Sequence, residues 1–192
     1  MRFSFLLISV LAGLIAGFFT TSIIVKQGRL FDEVRIGAWV FVPRIGAVDI
    51  DPYRRAHLFY EGELALASGE GFTLRATQDS EDRPLDGSCR YLLTGPAPTA
   101  RFWTLVLNAP DGSTFSHPTE RTSFTSAELI RVHDKPFSIA IGPEPMAGNW
   151  LPSRKNQPFV LNFRFYEPPL SATATVLEPR MVPNLVRGDC AS

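Results

Sequence analysis

The side chains that could do chemistry are few and widely spaced. In a chain of 192 residues, Cys89 and Cys190 are the two cysteines, and His57, His117 and His133 are the three histidines. No histidine falls in an HExxH or HxH pattern or beside a cysteine, so neither a zinc site nor a cysteine–histidine nucleophile is written in the spacing. Surface or capping positions are expected for all three. The cysteines form an even pair, which reads as a disulfide if the domain is exported; otherwise one is a buried thiol and the other sits in a loose tail. Joining them closes a loop of about 100 residues, worth roughly 4 to 5 kcal/mol in the chain-entropy account. Asp79, Glu81, Asp82 and Asp86 gather around a turn but lack the spacing of a calcium loop, so a solvated polar turn is expected. No metal and no cofactor is expected.

The aromatic residues hold more promise. Trp39, Trp103, Trp150, Tyr91 and Tyr166, with Asn149 and Arg164, can line a concave sheet face and stack on a sugar ring or lipid, or they can simply fill a core. Arg164 is the sharpest of these. It stands between Phe163 and Phe165 in a strand, so it points to the opposite face, where it must be solvated, paired with a carboxylate or holding an anion. The candidate ligand-binding set is therefore Arg164, Tyr166, Trp103, Asn149 and Trp150.

These residues follow an apolar N-terminal run. Phe5 to Val25 contains no charged residue, and about 20 helical residues span the hydrocarbon layer of a bilayer. The run is longer than the core of a cleaved signal and ends in Ser22-Ile23-Ile24-Val25-Lys26 without a small-x-small site, so an uncleaved signal anchor fits better than a removed peptide. Residues 1–29 are read as the anchor, inserted through residues 4–25, and 30–192 as one outer domain. The flanking charges, Arg2 before and Lys26, Arg29 and Arg35 after, do not fix the orientation. Export of the long C-terminal domain is favoured by its length and by the cysteines. Gly13 and Gly17 form a GxxxG that can bring two helices together as a homodimer. Lysine plus arginine and aspartate plus glutamate balance at 19 each, so no basic field exists for nucleic acid.

The outer part reads as one helix among short strands. Ile36 to Val42 is β-branched and aromatic and stops at Pro43. Asp51 is placed to cap a helix with Pro52 at its first position; Tyr53, Ala56, Tyr60, Leu64 and Ala67 follow at helical spacing as the packed face, and Gly69 ends it. Arg54, Arg55, Glu61 and Glu63 are expected on the solvated flank. Strands are expected at 72–77, 90–94, 102–108, 114–117, 137–141 and 159–166, with turns at Asp86-Gly87, Gly95-Pro96, Ala109 to Ser113 and Pro143 to Pro145. Phe159, Leu161, Phe163 and Phe165 alternate with a mixed set, so one face of the last strand is buried. The class is mainly β: a jelly-roll-like β-sandwich with one packed α-helix, preceded by a single transmembrane helix.

Five segments in order carry a resemblance: Asp51-Pro52-Tyr53-x-Arg55-Ala56, Leu85-Asp86-Gly87 with Tyr91, Phe102-Trp103-Thr104-Leu105, Asn149-Trp150-Leu151-Pro152, and Phe163-Arg164-Phe165-Tyr166-x-Pro168. Over roughly residues 35–185 the chain resembles the domain of unknown function 1214 family, in its short bacterial form with an N-terminal membrane segment. That resemblance implies a β-sandwich of jelly-roll type and no established activity. Longer relatives show Asp-Gly after the Arg121 region where this chain has Asp134-Lys135, so that turn is expected to differ. The resulting expectation is a single-pass protein of the bacterial inner membrane with a periplasmic domain that binds an envelope protein or glycan or serves a structural role. The alternative is a periplasmic hydrolase of a glycan or ester using Arg164, Tyr166 and an acid such as Asp86.

Overall fold

The computed structural model describes residues 2–27, 33–43, 45–62, 64–67, 69–96, 99–115, 121–131, 136–169 and 177–190. The expected domain boundary after residue 29, His117, His133 and the Asp134-Lys135 turn lie outside these residues. Helix α1, Arg2–Gln27, contains a 24-residue stretch, Phe3–Lys26, long and apolar enough to cross a membrane. At 1.5 Å per residue that stretch is about 36 Å long. Its polar groups are satisfied inside the helix: the Ser9 hydroxyl donates to the Leu6 carbonyl and the Thr20 hydroxyl to the Ala16 carbonyl, both at 2.9 Å.

The first strand region is a hairpin and not one strand. β1, Val34–Ile36, and β2, Trp39–Phe41, pair antiparallel, and Gly37 at φ +60° turns the chain between them. Helix α2, Pro52–Glu61, begins as expected, with the Asp51 carboxylate accepting the N–H groups of Tyr53 at 2.9 Å and Arg54 at 3.1 Å. It ends earlier. Gly62 takes the left-handed conformation, φ +67°, so Leu64 and Ala67 are outside the helix and Gly69 is not its stop. The faces also differ in part from the periodicity, although Arg55 is exposed and Ala56 half-buried as expected. Arg54 is 6% exposed and ion-paired with Glu33 at 3.2 Å, whereas Tyr53, Tyr60 and Leu64 are 43%, 58% and 87% exposed.

Among the described residues, the remaining strands are β3 (Gly71–Ala76), β4 (Cys89–Gly95), β5 (Phe102–Asn108), β6 (Ser123–Thr125), β7 (Phe137–Gly142), β8 (Trp150–Pro152), β9 (Val160–Tyr166) and β10 (Asn184–Cys190). They form a six-stranded sheet, ordered β1-β2-β3-β9-β5-β6, and a four-stranded sheet, ordered β10-β4-β7-β8. All pairs are antiparallel except β7 with β8. The chain changes sheet between β3 and β4, β4 and β5, β6 and β7, β8 and β9, and β9 and β10, which is the wrapping of a jelly-roll-like sandwich. The three-residue strands β6 and β8 and the seven-residue β10 were not expected. At 114–117 no strand forms in the described part; Thr114 makes a single bridge to Asn108 beyond the tight turn at Ala109 to Ser113.

One core lies between the sheets. Trp39, Phe41, Phe72, Leu74, Leu105, Leu161, Phe163 and Phe165 from the larger sheet meet Tyr91, Leu93, Ile139, Ile141, Leu151 and Leu185 from the smaller. Phe163 is packed edge-on by Trp103 at 5.0 Å and tilted against Phe165 at 4.3 Å. The buried Trp39 indole N–H donates to the Pro183 carbonyl at 2.7 Å, tying the hairpin to the approach of β10. Cys89 and Cys190 are joined as a disulfide where β10 meets β4, so the reading as two separate thiols does not hold.

Candidate functional site

The alternation expected in β9 is borne out and it defines a site. Leu161, Phe163 and Phe165 are fully buried, while Asn162, Arg164 and Tyr166 reach the outer face of the larger sheet. Register adds neighbours from strands distant in sequence. Tyr166 pairs with Phe102 on β5, Arg164 stands between Thr73 on β3 and Thr104 on β5, and Asn162 stands beside Arg75. Arg75 and Arg164 are thus diagonal neighbours on one face, and such Cα atoms lie roughly 7–8 Å apart, within reach of two long side chains.

A cleft of about 160 Å³ opens here, lined by Arg75, Asn108, Val160, Asn162, Arg164 and the backbone turns at Gly62 and Gly112. The C-terminal cap of α2 forms part of its rim. Asn162 donates to the Asn108 side-chain oxygen at 3.2 Å, and Asn108 donates in turn to the Gly112 carbonyl at 3.1 Å, which fixes both amides at the floor. Beside the cleft, the Phe102 and Tyr166 rings stand 6.0 Å apart in a tilted pair. Two guanidiniums, two amides and an aromatic pair on one sheet face can hold an anionic group and stack a flat or ring-shaped neighbour.

The other proposed ligand residues are elsewhere. Trp103 is 4% exposed on the inner face, between Phe163 and Phe137, and Trp39 and Tyr91 are likewise core residues. Strand alternation explains this, because Trp103 and Arg164 occupy opposite faces of adjacent strands. Asn149 is spent on structure: its side chain accepts the Ile130 N–H at 2.8 Å and donates to the carbonyls of Ile130 at 2.9 Å and Ser138 at 3.0 Å. Trp150 donates to the Gly142 carbonyl at 3.0 Å and lines a separate open groove of about 330 Å³ with Arg121, Phe124, Glu128, Ile130 and Met146. Of the five residues, Arg164 lines the cleft with Tyr166 beside it, Trp103 is in the core, and Asn149 and Trp150 both line the second groove.

The acidic turn is a structural device. Asp79 is 1% exposed; its carboxylate accepts the N–H groups of Glu81 and Arg83 and the Arg83 guanidinium at 2.9–3.1 Å, and Arg187 Nε lies 3.1 Å away. Arg187 Nε is buried but not aligned to donate, while its Nη2 donates to Tyr91 Oη and to the Pro84 carbonyl. Burial pushes the Asp79 pKa up, but the Arg83 and Glu81 N–H groups and the Arg83 guanidinium outweigh it and hold the carboxyl below its ordinary value. Asp86 accepts the Ser88 N–H at 2.8 Å in a turn and does not line the Arg164 cleft, so the grouping of Arg164, Tyr166 and Asp86 does not form. Among the described residues no cluster of three or more metal-ligating side chains exists. His57 places Nδ1 2.7 Å from the Val25 carbonyl, a contact between α2 and α1.

Arg75, Asn108, Asn162 and Phe102 were missed from the sequence. A period-two reading of β3, β5 and β9 was enough to give them an outward face, but not to say which strands would lie side by side.

Comparison with known proteins agrees with this architecture. The crystal structure of the VPA0106 protein from Vibrio parahaemolyticus is similar, with a TM-score of 0.62 at 19% identity over 92% of this chain and 44% of that one. The chain thus spans less than half the length of that protein. A crystal structure of an uncharacterised Burkholderia cenocepacia protein gives a TM-score of 0.43 at 17% identity, over 92% of this chain and 50% of that one. No curated protein matches the chain. Residues 70–170 match the family described as protein of unknown function, DUF1214, and this interval contains β3 to β9 and nearly all of the Arg164 cleft. The chain belongs to the DUF1214 family.

Proposed function

We propose that this chain is a single-pass protein of the bacterial inner membrane whose periplasmic sandwich binds an anionic group of an envelope ligand, such as an acidic glycan, in the Arg75–Arg164 cleft. The placement of two guanidiniums diagonally on one face of β3 and β9, above the Asn108–Asn162 amide pair, carries this reading. α1 supports the tether, and the Cys89–Cys190 disulfide supports an oxidising compartment. The Phe102–Tyr166 pair beside the cleft suits the face of a sugar ring. Gly13 and Gly17 lie one turn apart on α1, and a Cβ at either would meet nothing within 4 Å beyond the helix's own backbone, which leaves that face available to a second helix.

The test is titration of the full chain in detergent micelles with an acidic oligosaccharide and its neutral counterpart, followed by calorimetry. Charged hydrogen bonds contribute about 1.5–3 kcal/mol, so Arg164→Gln should weaken binding of the acidic form roughly tenfold or more. The neutral sugar should be nearly unaffected by the substitution. Equal binding of both sugars by wild type and variant would remove the basis of the reading.

A further inference from the structure

Helix α2 faces the wrong way for a helix packed on a soluble core. Its charged Arg54 is turned inward onto Glu33, while Tyr53, Phe59 and Tyr60 are turned outward, with Phe59 82% exposed. Beside Phe59 lies an open, apolar hollow of about 340 Å³, lined also by Ile50, Pro52, Arg55 and Ala56. Contiguous exposed apolar surface of this kind marks a contact with a partner or a membrane.

The position of α2 against α1 decides between them. Among residues 3–26 of α1, Ser22 and Val25, one turn apart, are the partly covered ones, and His57 of α2 contacts the Val25 carbonyl. α2 therefore lies against the side of the last turn of the apolar run, one turn before or level with Lys26. In a bilayer crossed by α1, that level is the boundary between headgroups and acyl chains, where aromatic side chains concentrate.

We infer that α2 is an interfacial helix, seating Phe59, Tyr60 and Tyr53 in the phospholipid headgroup–acyl boundary and so fixing the sandwich, and its Arg164 cleft, close to the membrane surface. This inference rests on the reading that α1 spans the bilayer. A flexible linker alone would let the domain move freely above the surface; a seated α2 holds it in one orientation, with Gly62 at the end of the seated helix and at the rim of the cleft.

The experiment uses the full chain in phosphatidylcholine liposomes containing lipids brominated either near the headgroup or deep in the acyl chain. Phe59→Trp reports on α2 and Ile15→Trp on the middle of α1; the native Trp39, Trp103 and Trp150 set the wild-type baseline. Phe59 is exposed, so its replacement disturbs no packing, and an intact Cys89–Cys190 bond by nonreducing mass measurement checks the fold. The expected result is a blue-shifted F59W emission quenched more by shallow than by deep bromine, with I15W showing the opposite order. If I15W is quenched and F59W is not, the interfacial role is wrong while the tether stands. If neither is quenched, both fail. A blue shift of F59W that ignores bromine but grows with the protein-to-lipid ratio assigns the face to a second copy of the chain and overturns the proposal.

Discussion

Asp79 is the residue on which the acidic turn, β10 and the disulfide corner converge, and replacing it with asparagine separates charge from shape. In D79N the oxygen that accepts the Glu81 and Arg83 N–H groups at 2.9 and 3.1 Å is retained, so the turn keeps its two internal hydrogen bonds. The other position becomes an NH2 facing two donors: Arg83 Nε, which is 2.9 Å from the native carboxylate, and Arg187 Nε at 3.1 Å. Arg187 has a side chain only 15% exposed, so it is left as a nearly buried cation without its counter-ion. Removing one partner of a buried pair typically costs about 3–5 kcal/mol. Arg83 is 43% exposed and can turn to water, so the expected loss is at the lower end, about 3 kcal/mol. In R187M the carboxylate keeps Arg83 and both N–H donors, and the expected cost is about 1–2 kcal/mol. The double variant should cost less than the sum, because the cation stranded by D79N is gone.

The assay is urea unfolding of the full chain in micelles with the disulfide oxidised, followed by the fluorescence of the buried Trp39 and Trp103. A second arm varies pH. The folded carboxyl lies below its ordinary value, so its contribution is complete above the unfolded pKa of about 3.9 and is lost as pH falls through the lower folded value. Wild type should therefore lose stability steeply below about pH 4, and D79N should lose less over the same window. A D79N cost under about 1 kcal/mol, with additive behaviour in R187M, would show that the charge does not hold this corner and that the turn hydrogen bonds alone do.

Other outcomes follow from single positions. Trp103→Ala should cost about 3–5 kcal/mol, since the ring is buried against Phe163 and Phe137, yet leave the Arg164 cleft's ligand affinity unchanged in molecules that remain folded by calorimetry. Cys190→Ser should lower the unfolding free energy from urea titration by an amount approaching the roughly 4 to 5 kcal/mol of a closed loop of this length, read against wild type under oxidising conditions. Replacing both Gly13 and Gly17 with isoleucine should reduce self-association of the full chain in membranes, measured by cross-linking, and leave domain stability unaltered.

What the residues disclosed, and what they withheld, follows from the range of the forces involved. The β9 alternation is local and strong, and it correctly put Arg164 opposite Phe163 and Phe165. The disulfide could be read from an even pair of cysteines alone. The cleft itself depends on β3 lying beside β9 and β9 beside β5, contacts that span about 90 and 60 residues respectively and leave no mark in spacing. Tryptophan composition suggested a ligand face, but composition carries no phase, and the phase of β5 sends Trp103 inward. The helix was misread in a more instructive way. Its apolar spacing is real, but periodicity identifies an apolar face without saying whether protein or membrane covers it. The pair between buried Arg54 and Glu33 fixes the rotation of α2 instead, at a glutamate eighteen positions before the cap in a segment with no pattern of its own.

Gly62 tests that account of α2 directly. Tyr53, Ala56, Tyr60, Leu64 and Ala67 are spaced as if the helix ran on to Gly69, and on that reading Gly62 is an interior glycine. Gly62→Ala would then be expected to stabilise the chain by roughly 0.5–1 kcal/mol. In the structure Gly62 has φ +67° and donates its N–H to the Phe59 carbonyl at 3.3 Å, so it is a left-handed cap. A Cβ there meets no atom within 4 Å, so the cost of alanine is backbone conformation alone, about 1 kcal/mol in the destabilising direction. The sign of the change in urea midpoint discriminates between the two helix lengths. Because Gly62 also lines the Arg164 cleft, a destabilised but folded G62A should bind the acidic oligosaccharide more weakly. Stabilisation with unchanged affinity would mean that the helix continues past Gly62 and that the rim of the cleft is formed by something other than its cap.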